Sequence, residues 1–113
     1  MTTAEWDALP GTVKTFMAAL DAQEFDRALA TFTSDAVVTD DGRDYAGTDK
    51  IRTWLATAVT EYTYTATFTG ASATDGGVDV GQHLEGDFPG GVVDLNYRFT
   101  LDGAAIRRLV IEP

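Results

Sequence analysis

The sequence predicts an α+β fold, and two changes of rhythm carry that prediction. Through about residue 60, apolar side chains recur at helical spacing; beyond it they alternate at a period of two with threonines and charged residues. Turn residues then fall at short intervals, as Asp75-Gly76-Gly77, Asp87-Phe88-Pro89-Gly90-Gly91 and Asp102-Gly103, which mark the hairpins of an antiparallel meander.

Val13, Phe16, Met17 and Leu20 stand at i, i+3, i+4 and i+7, one face of a first helix, with Pro10 and Thr12 near its start. Phe25, Ala28, Leu29 and Phe32 repeat the spacing after the polar break Asp21 to Glu24, predicting a second helix that ends near Ser34-Asp35 and forms a hairpin with the first. Ala36 to Thr39 reads as a brief strand, and Asp40-Asp41-Gly42-Arg43 as a turn. Gly47-Thr48-Asp49 supplies breaker and capping residues for a third helix marked by Ile51, Trp54, Leu55 and Ala58 and running to about Thr60.

Tyr62, Tyr64, Ala66 and Phe68 then alternate with Thr63, Thr65, Thr67 and Thr69, and β-branched and aromatic residues suit a pleated surface, so this stretch is a long strand. Strands from Val78 to Glu85, Val92 to Leu101 and Ala105 to Ile111 complete the sheet, with Val93, Leu95, Tyr97, Phe99 and Leu101 on one face. The expected order is three helices interleaved with one short strand, followed by four antiparallel strands.

A chain of 113 residues can bury roughly 65% of its unfolded surface, enough for one core without staples, so residues 1–113 read as a single domain with 1–9 a loosely attached segment. Hydrophobic residues at 44% and charged residues at 23% suit a globular protein. The absence of cysteine excludes disulfides, thiolate metal sites and cysteine nucleophiles. Eighteen acidic residues against eight basic ones give a net charge of −10, a field that repels phosphate backbones and argues against nucleic-acid binding. No signal-like start and no membrane-length apolar run stand in the sequence, so a cytoplasmic setting without membrane contact is expected.

The run Asp35 to Arg43, followed by Tyr45-Ala46-Gly47, Ile51-Arg52 and Trp54-Leu55, resembles the SnoaL-like branch of the nuclear transport factor 2-like superfamily. Gly86-Asp87-Phe88-Pro89-Gly90 and Asp94 to Leu101 resemble that branch's last hairpin, so the likeness spans about residue 10 to the C-terminus. It implies a cone-shaped α+β barrel, with three N-terminal helices packed on a curved, mainly antiparallel sheet around an apolar pocket. Activity does not follow, because one scaffold hosts many functions, from isomerases and cyclases to binders without chemistry.

By the same resemblance Asp40 inherits the place of the proton-abstracting carboxylate of the steroid isomerases. A carboxylate at the mouth of an apolar cone would have its pKa raised by desolvation, toward the value a general base needs. A turn residue bonded to its own backbone is the competing reading. The isomerases' oxyanion donors do not carry over: their helix tyrosine falls on Phe16 and their strand acid on Leu95. Losing two such donors forfeits about 4 kcal/mol or more of transition-state stabilisation, which disfavours steroid-type isomerisation by that route.

His83, the only histidine, stands in a Gly81-Gln82-His83 triplet that resembles the G-x-H of SnoaL cyclases and is a second catalytic candidate. Strand pairing turns it to the outer face near Asp94, Asn96 and Arg98 unless a bulge intervenes. Phe16, Trp54, Tyr64, Phe68, Leu95 and Tyr97 are the expected pocket lining, although core packing explains the same residues; Tyr45 reads as a surface tyrosine. One histidine and no cysteine give no basis for a metal site, and no phosphate-binding loop or nucleotide fingerprint is present, so no cofactor is expected.

Three functions remain open. A non-catalytic pocket for a small apolar molecule comes first, because Phe16 and Leu95 make the cavity more apolar. Next is a cofactor-independent isomerase, cyclase or hydrolase with Asp40 as base and His83 or Tyr97 as partner. A module whose sheet face pairs two copies is third, although a homodimer is compatible with all three.

Overall fold

The computed structural model describes residues 6–57 and 60–113. Among these, three α-helices pack on one six-stranded sheet: α1 (Gly11–Asp21), α2 (Phe25–Leu29), β1 (Phe32–Asp40), β2 (Arg43–Ala46), α3 (Thr48–Thr57), β3 (Tyr64–Thr74), β4 (Gly77–Gly86), β5 (Val92–Asp102) and β6 (Ala105–Glu112). The sheet order is β2-β1-β6-β5-β4-β3, antiparallel throughout except where β1 lies parallel to β6. The result is the cone-shaped α+β fold that the sequence predicts. None of the described helices is long and apolar enough to cross a membrane.

Four differences from the sequence reading stand out. The second helix stops at Leu29 instead of near Ser34-Asp35, and Phe32 opens β1, which is nine residues long where four were expected. The i, i+3, i+4 rhythm through Phe32 continued by coincidence, because Phe32 packs on the core from a strand, partly buried and edge-on to Phe16 at 5.4 Å. Arg43–Ala46, expected as connection, is the edge strand β2. Tyr62 precedes β3 instead of opening it.

Residues 6–9, expected to attach loosely, are docked: Trp6 meets Phe68 edge-on at 5.6 Å and Leu9 is buried. Ala58, counted in the third helix from the sequence, lies outside the described residues, as do residues 1–5.

Curvature arises where the ladders gain a residue. Thr69 is extra in β3 between the pairs Phe68↔Gln82 and Gly70↔Gly81, and Arg107 is extra in β6 between Leu101↔Ile106 and Thr100↔Arg108. Such bulges bend a strand and reverse which face its next side chains occupy. Accordingly Phe68 and Ala71, three apart, share the inner face, as do Ile106 and Leu109.

The core is one connected cluster in which Phe16, Trp54 and Phe99 are the largest fully buried side chains. Phe16 stands at its centre, parallel to Trp54 at 6.5 Å and edge-on to Phe99 at 5.7 Å.

Candidate functional site

At one end of the core the side chains do not close up. A cavity of about 440 Å³ opens between the end of α1, α3, the inner face of β4 to β6 and the tip of the β4–β5 hairpin. Its walls include Leu20, Trp54, Leu84, Val93, Leu95, Tyr97 and Ile111, with Asp40 among them.

The β1–β2 turn puts Asp40 there. Asp41 (φ 53°) and Gly42 (φ 75°) both take left-handed backbone angles, and Asp40 pairs with Arg43 across them. Two consecutive residues of that kind make the tight hairpin turn whose twist matches its strands. Asp41 and Gly42 therefore form the turn, and Asp40 is the last residue of β1, opposite Ile111 and on the inner face with Val38. Asp40 thus stands beside the turn instead of within it, and it lines the cavity.

The indole Nε1–H of Trp54 donates to Asp40 Oδ2 at 3.0 Å. Burial raises the Asp40 pKa above the ordinary aspartate value; the Trp54 hydrogen bond pulls it back, and the neighbouring Asp41 charge raises it again. Two phenols share this environment. Burial raises the Tyr64 pKa, with the charges of Asp21 and Asp40 adding to it. Tyr97 is raised well beyond the ordinary tyrosine range, chiefly by burial, then by Tyr64, against a hydrogen bond with Gln82, and finally by Asp40. Both phenols hold their protons at neutral pH and can donate hydrogen bonds.

Of the residues expected to line a pocket, Trp54, Tyr64, Leu95 and Tyr97 border this cavity and two others do not. Phe16 does not border the cavity; it lies behind Trp54, enclosed by three aromatic rings. Phe68 is on the inner face, but its ring is covered by Trp6. Tyr45 is no free surface tyrosine, since it packs on the core with its ring 6.3 Å from Trp54.

His83 is not in the cavity. No bulge falls between it and Asp94 opposite, so it stays on the outer face with Nδ1 2.7 Å from Asp94 Oδ1 and Nε2 3.9 Å from Glu85. Arg98 is on that face too, bonded to Glu112 at 2.6 Å and Asp79 at 3.0 Å. As a partner for Asp40, His83 is excluded by this geometry.

The hairpin tip was missed from the sequence. Asp87 ties it to the segment before β3, accepting from the Thr63 amide at 2.8 Å and donating its own amide to the Thr63 carbonyl at 3.0 Å. Phe88 thereby meets Tyr62 at 6.1 Å, and both, with Pro89, wall the cavity. The signal was there: an aromatic residue in a glycine-rich turn is unexpected unless something covers it.

A curved sheet wrapped on three helices defines a cone-shaped α+β fold, here with a carboxylate on the wall of an open cavity. No protein-family model matches the chain, and no curated protein matches it by sequence. Solved structures do. A candidate polyketide cyclase of Sinorhizobium meliloti is 30% identical, with a TM-score of 0.90 over 96% of this chain and 100% of that one. A ketosteroid isomerase-like protein of Catenulispora acidiphila, solved in complex with trimethylamine, is 18% identical with a TM-score of 0.81 over 94% and 87% of the two chains. The Δ5-3-ketosteroid isomerase of a Mycobacterium species is 17% identical with a TM-score of 0.74 over 94% of each. The chain belongs to the nuclear transport factor 2-like superfamily, in its SnoaL-like branch.

Proposed function

We propose that this protein binds a small, largely apolar molecule in the cavity, and that Asp40 receives a proton or a hydrogen bond from it. The observation that supports this most is the position of Asp40, an ionisable group on the wall of an otherwise mainly apolar cavity of about 440 Å³. That volume is within the range of small-molecule sites, and a few convergent polar groups in an apolar lining are their usual composition. The amine bound by one neighbour and the isomerase activity of another belong to those proteins; below 25% identity they bring only the fold.

A second reading is proton-transfer catalysis with Asp40 as general base. It is favoured by the upward shift of Asp40 and by two protonated phenols, Tyr64 and Tyr97, on the same cavity. The open cavity counts against a module filled by its own side chains. We retain as proposals a cytoplasmic setting and the pairing of two copies through the outer sheet face.

A thermal-shift screen of apolar ring compounds on wild type and Asp40→Asn tests the reading. A ligand at about 100 times its Kd adds about 2.7 kcal/mol, which moves the midpoint of a domain this size by several degrees. Stabilisation of wild type that changes in the variant is the expected result. No stabilisation by any compound would sink the proposal, and equal stabilisation of both proteins would remove Asp40 from it.

A further inference from the structure

We infer that the ligand is an organic cation, a protonated amine carried on an apolar body of one or two rings. The inference rests on the reading of the cavity as a binding site and deepens it by assigning the ligand's charge.

Charge is the first argument. Among the described residues, the cavity lining includes Asp40 and Asp41 and contains no lysine, arginine or histidine. Glu112 is also at the rim, but its carboxylate is matched by Arg98. Of the arginines on neighbouring strands, Arg98 is held on the outer face, Arg108 donates to the Val37 carbonyl at 3.1 Å and the Thr39 hydroxyl at 2.6 Å, and Arg43, opposite Asp40 across the β1–β2 turn, is exposed and does not line the cavity. An anionic ligand would meet two carboxylates and no compensating cation, and like charges brought together out of water repel strongly.

The second argument is the state of Asp40 itself. Trp54 occupies Oδ2, and no hydrogen bond from the described residues reaches Oδ1. A part-buried carboxylate with a vacant acceptor is costly to cover with a neutral, apolar surface, and the cost is recovered when a charged donor pairs with it. A neutral donor can bond to Oδ1 but leaves the charge of the carboxylate uncompensated.

The walls make the third argument. Trp54, Tyr64, Phe88 and Tyr97 surround the same space. Aromatic ring faces are negative at their centres, attract cations, and present apolar surface to the remainder of the molecule. A carboxylate in a cavity whose lining includes aromatic side chains suits an ammonium group on a hydrocarbon frame better than it suits a hydrocarbon alone.

Three probes that share one ring system separate the alternatives: naphthylmethylamine, naphthylmethanol and naphthoate, titrated by calorimetry into the full chain at neutral pH, with wild type and Asp40→Asn. The expected result for wild type is that the amine binds at least about tenfold tighter than the alcohol and that naphthoate binds weakest. In Asp40→Asn the amine's advantage should fall to within about twofold.

The inference is overturned if the alcohol or naphthoate equals the amine in wild type, or if the amine keeps its advantage in Asp40→Asn. Binding of the alcohol without any charge preference overturns this inference alone and leaves the cavity reading standing. Failure of all three to bind overturns both. If Asp40→Asn does not fold, the ranking in wild type decides the matter alone.

Discussion

Trp54→Phe isolates the contact that joins the core to the site. The substitution removes the Nε1–H that donates to Asp40 at 3.0 Å and part of a ring that is 1% exposed. The lost volume is about 40 Å³, and at about 24 cal/mol per Å³ of unfilled space this costs about 1 kcal/mol. A hydrogen bond to a charged acceptor contributes about 1.5 to 3 kcal/mol, and the partial exposure of Asp40 puts this one near the lower end. The sum is about 2.5 kcal/mol at neutral pH.

The two parts separate by pH. The Trp54 bond lowers the folded-state pKa of Asp40, so its charged-acceptor part is present while Asp40 is ionised and is lost as pH falls through the folded pKa. At about pH 3.5, below the ordinary aspartate value, the raised pKa leaves Asp40 mostly protonated, and the bond falls toward the roughly 1 kcal/mol of a neutral pair. Urea unfolding of both proteins at the two pH values should therefore show a destabilisation smaller by about 0.5 to 1 kcal/mol in acid. A loss that does not vary with pH would refute the coupling of Trp54 to an ionised Asp40.

Asp40→Asn should behave in the opposite sense. Burial raises the folded pKa of Asp40 above 3.8, so between the ordinary and the raised value the native state binds more protons than the unfolded one, and stability falls as pH rises through that window. The variant should gain stability relative to wild type on going from about pH 3.5 to neutral, which paired chemical denaturation curves would reveal. Phe16→Tyr restores a hydroxyl at the position of the isomerases' donor, but here it enters the core between Phe32, Trp54 and Phe99. It should cost about 1 to 3 kcal/mol and leave ligand affinity unimproved, as denaturation and calorimetry would record. Gly77→Ala places a methyl group 1.8 Å from the Phe99 carbonyl oxygen on the neighbouring strand. A loss of about 1 to 3 kcal/mol or more follows, and a variant as stable as wild type would contradict the close approach of β4 and β5.

Much of the fold was legible because its signals are local. The alternation of Tyr64, Ala66 and Phe68 with threonines, and the turns at Asp75-Gly76, Asp87 to Gly91 and Asp102-Gly103, placed all four meander strands to within a few residues. The first strand was not, because Phe32 satisfied both a helical and an extended pattern and only its place beside Phe16 decides between them. β2 escaped because Arg43-Asp44-Tyr45-Ala46 has little apolar alternation and is a strand by virtue of pairing with β1.

The site divided in the same way. Asp40 was singled out by the resemblance, and Trp54 as an apolar position of the third helix, whereas their hydrogen bond was not visible. Whether an aromatic residue lines the cavity or fills the core was beyond the pattern: Phe16 and Tyr97 both face inward, and only the packing of Trp54 over Phe16 separates them. The hairpin tip illustrates the remaining gap, since Phe88 reaches the cavity through a tie between Asp87 and Thr63, 24 residues apart in sequence.

The most direct test of the account is an NMR titration of the isotopically labelled protein with naphthylmethylamine, observing backbone amides together with the indole N–H of Trp54. The account predicts that shifts concentrate at Asp40, Trp54, Leu95 and Tyr97 and leave the outer-face residues His83 and Asp94 unmoved. Shifts confined to His83, Asp94 and their neighbours, or none at all, would contradict it.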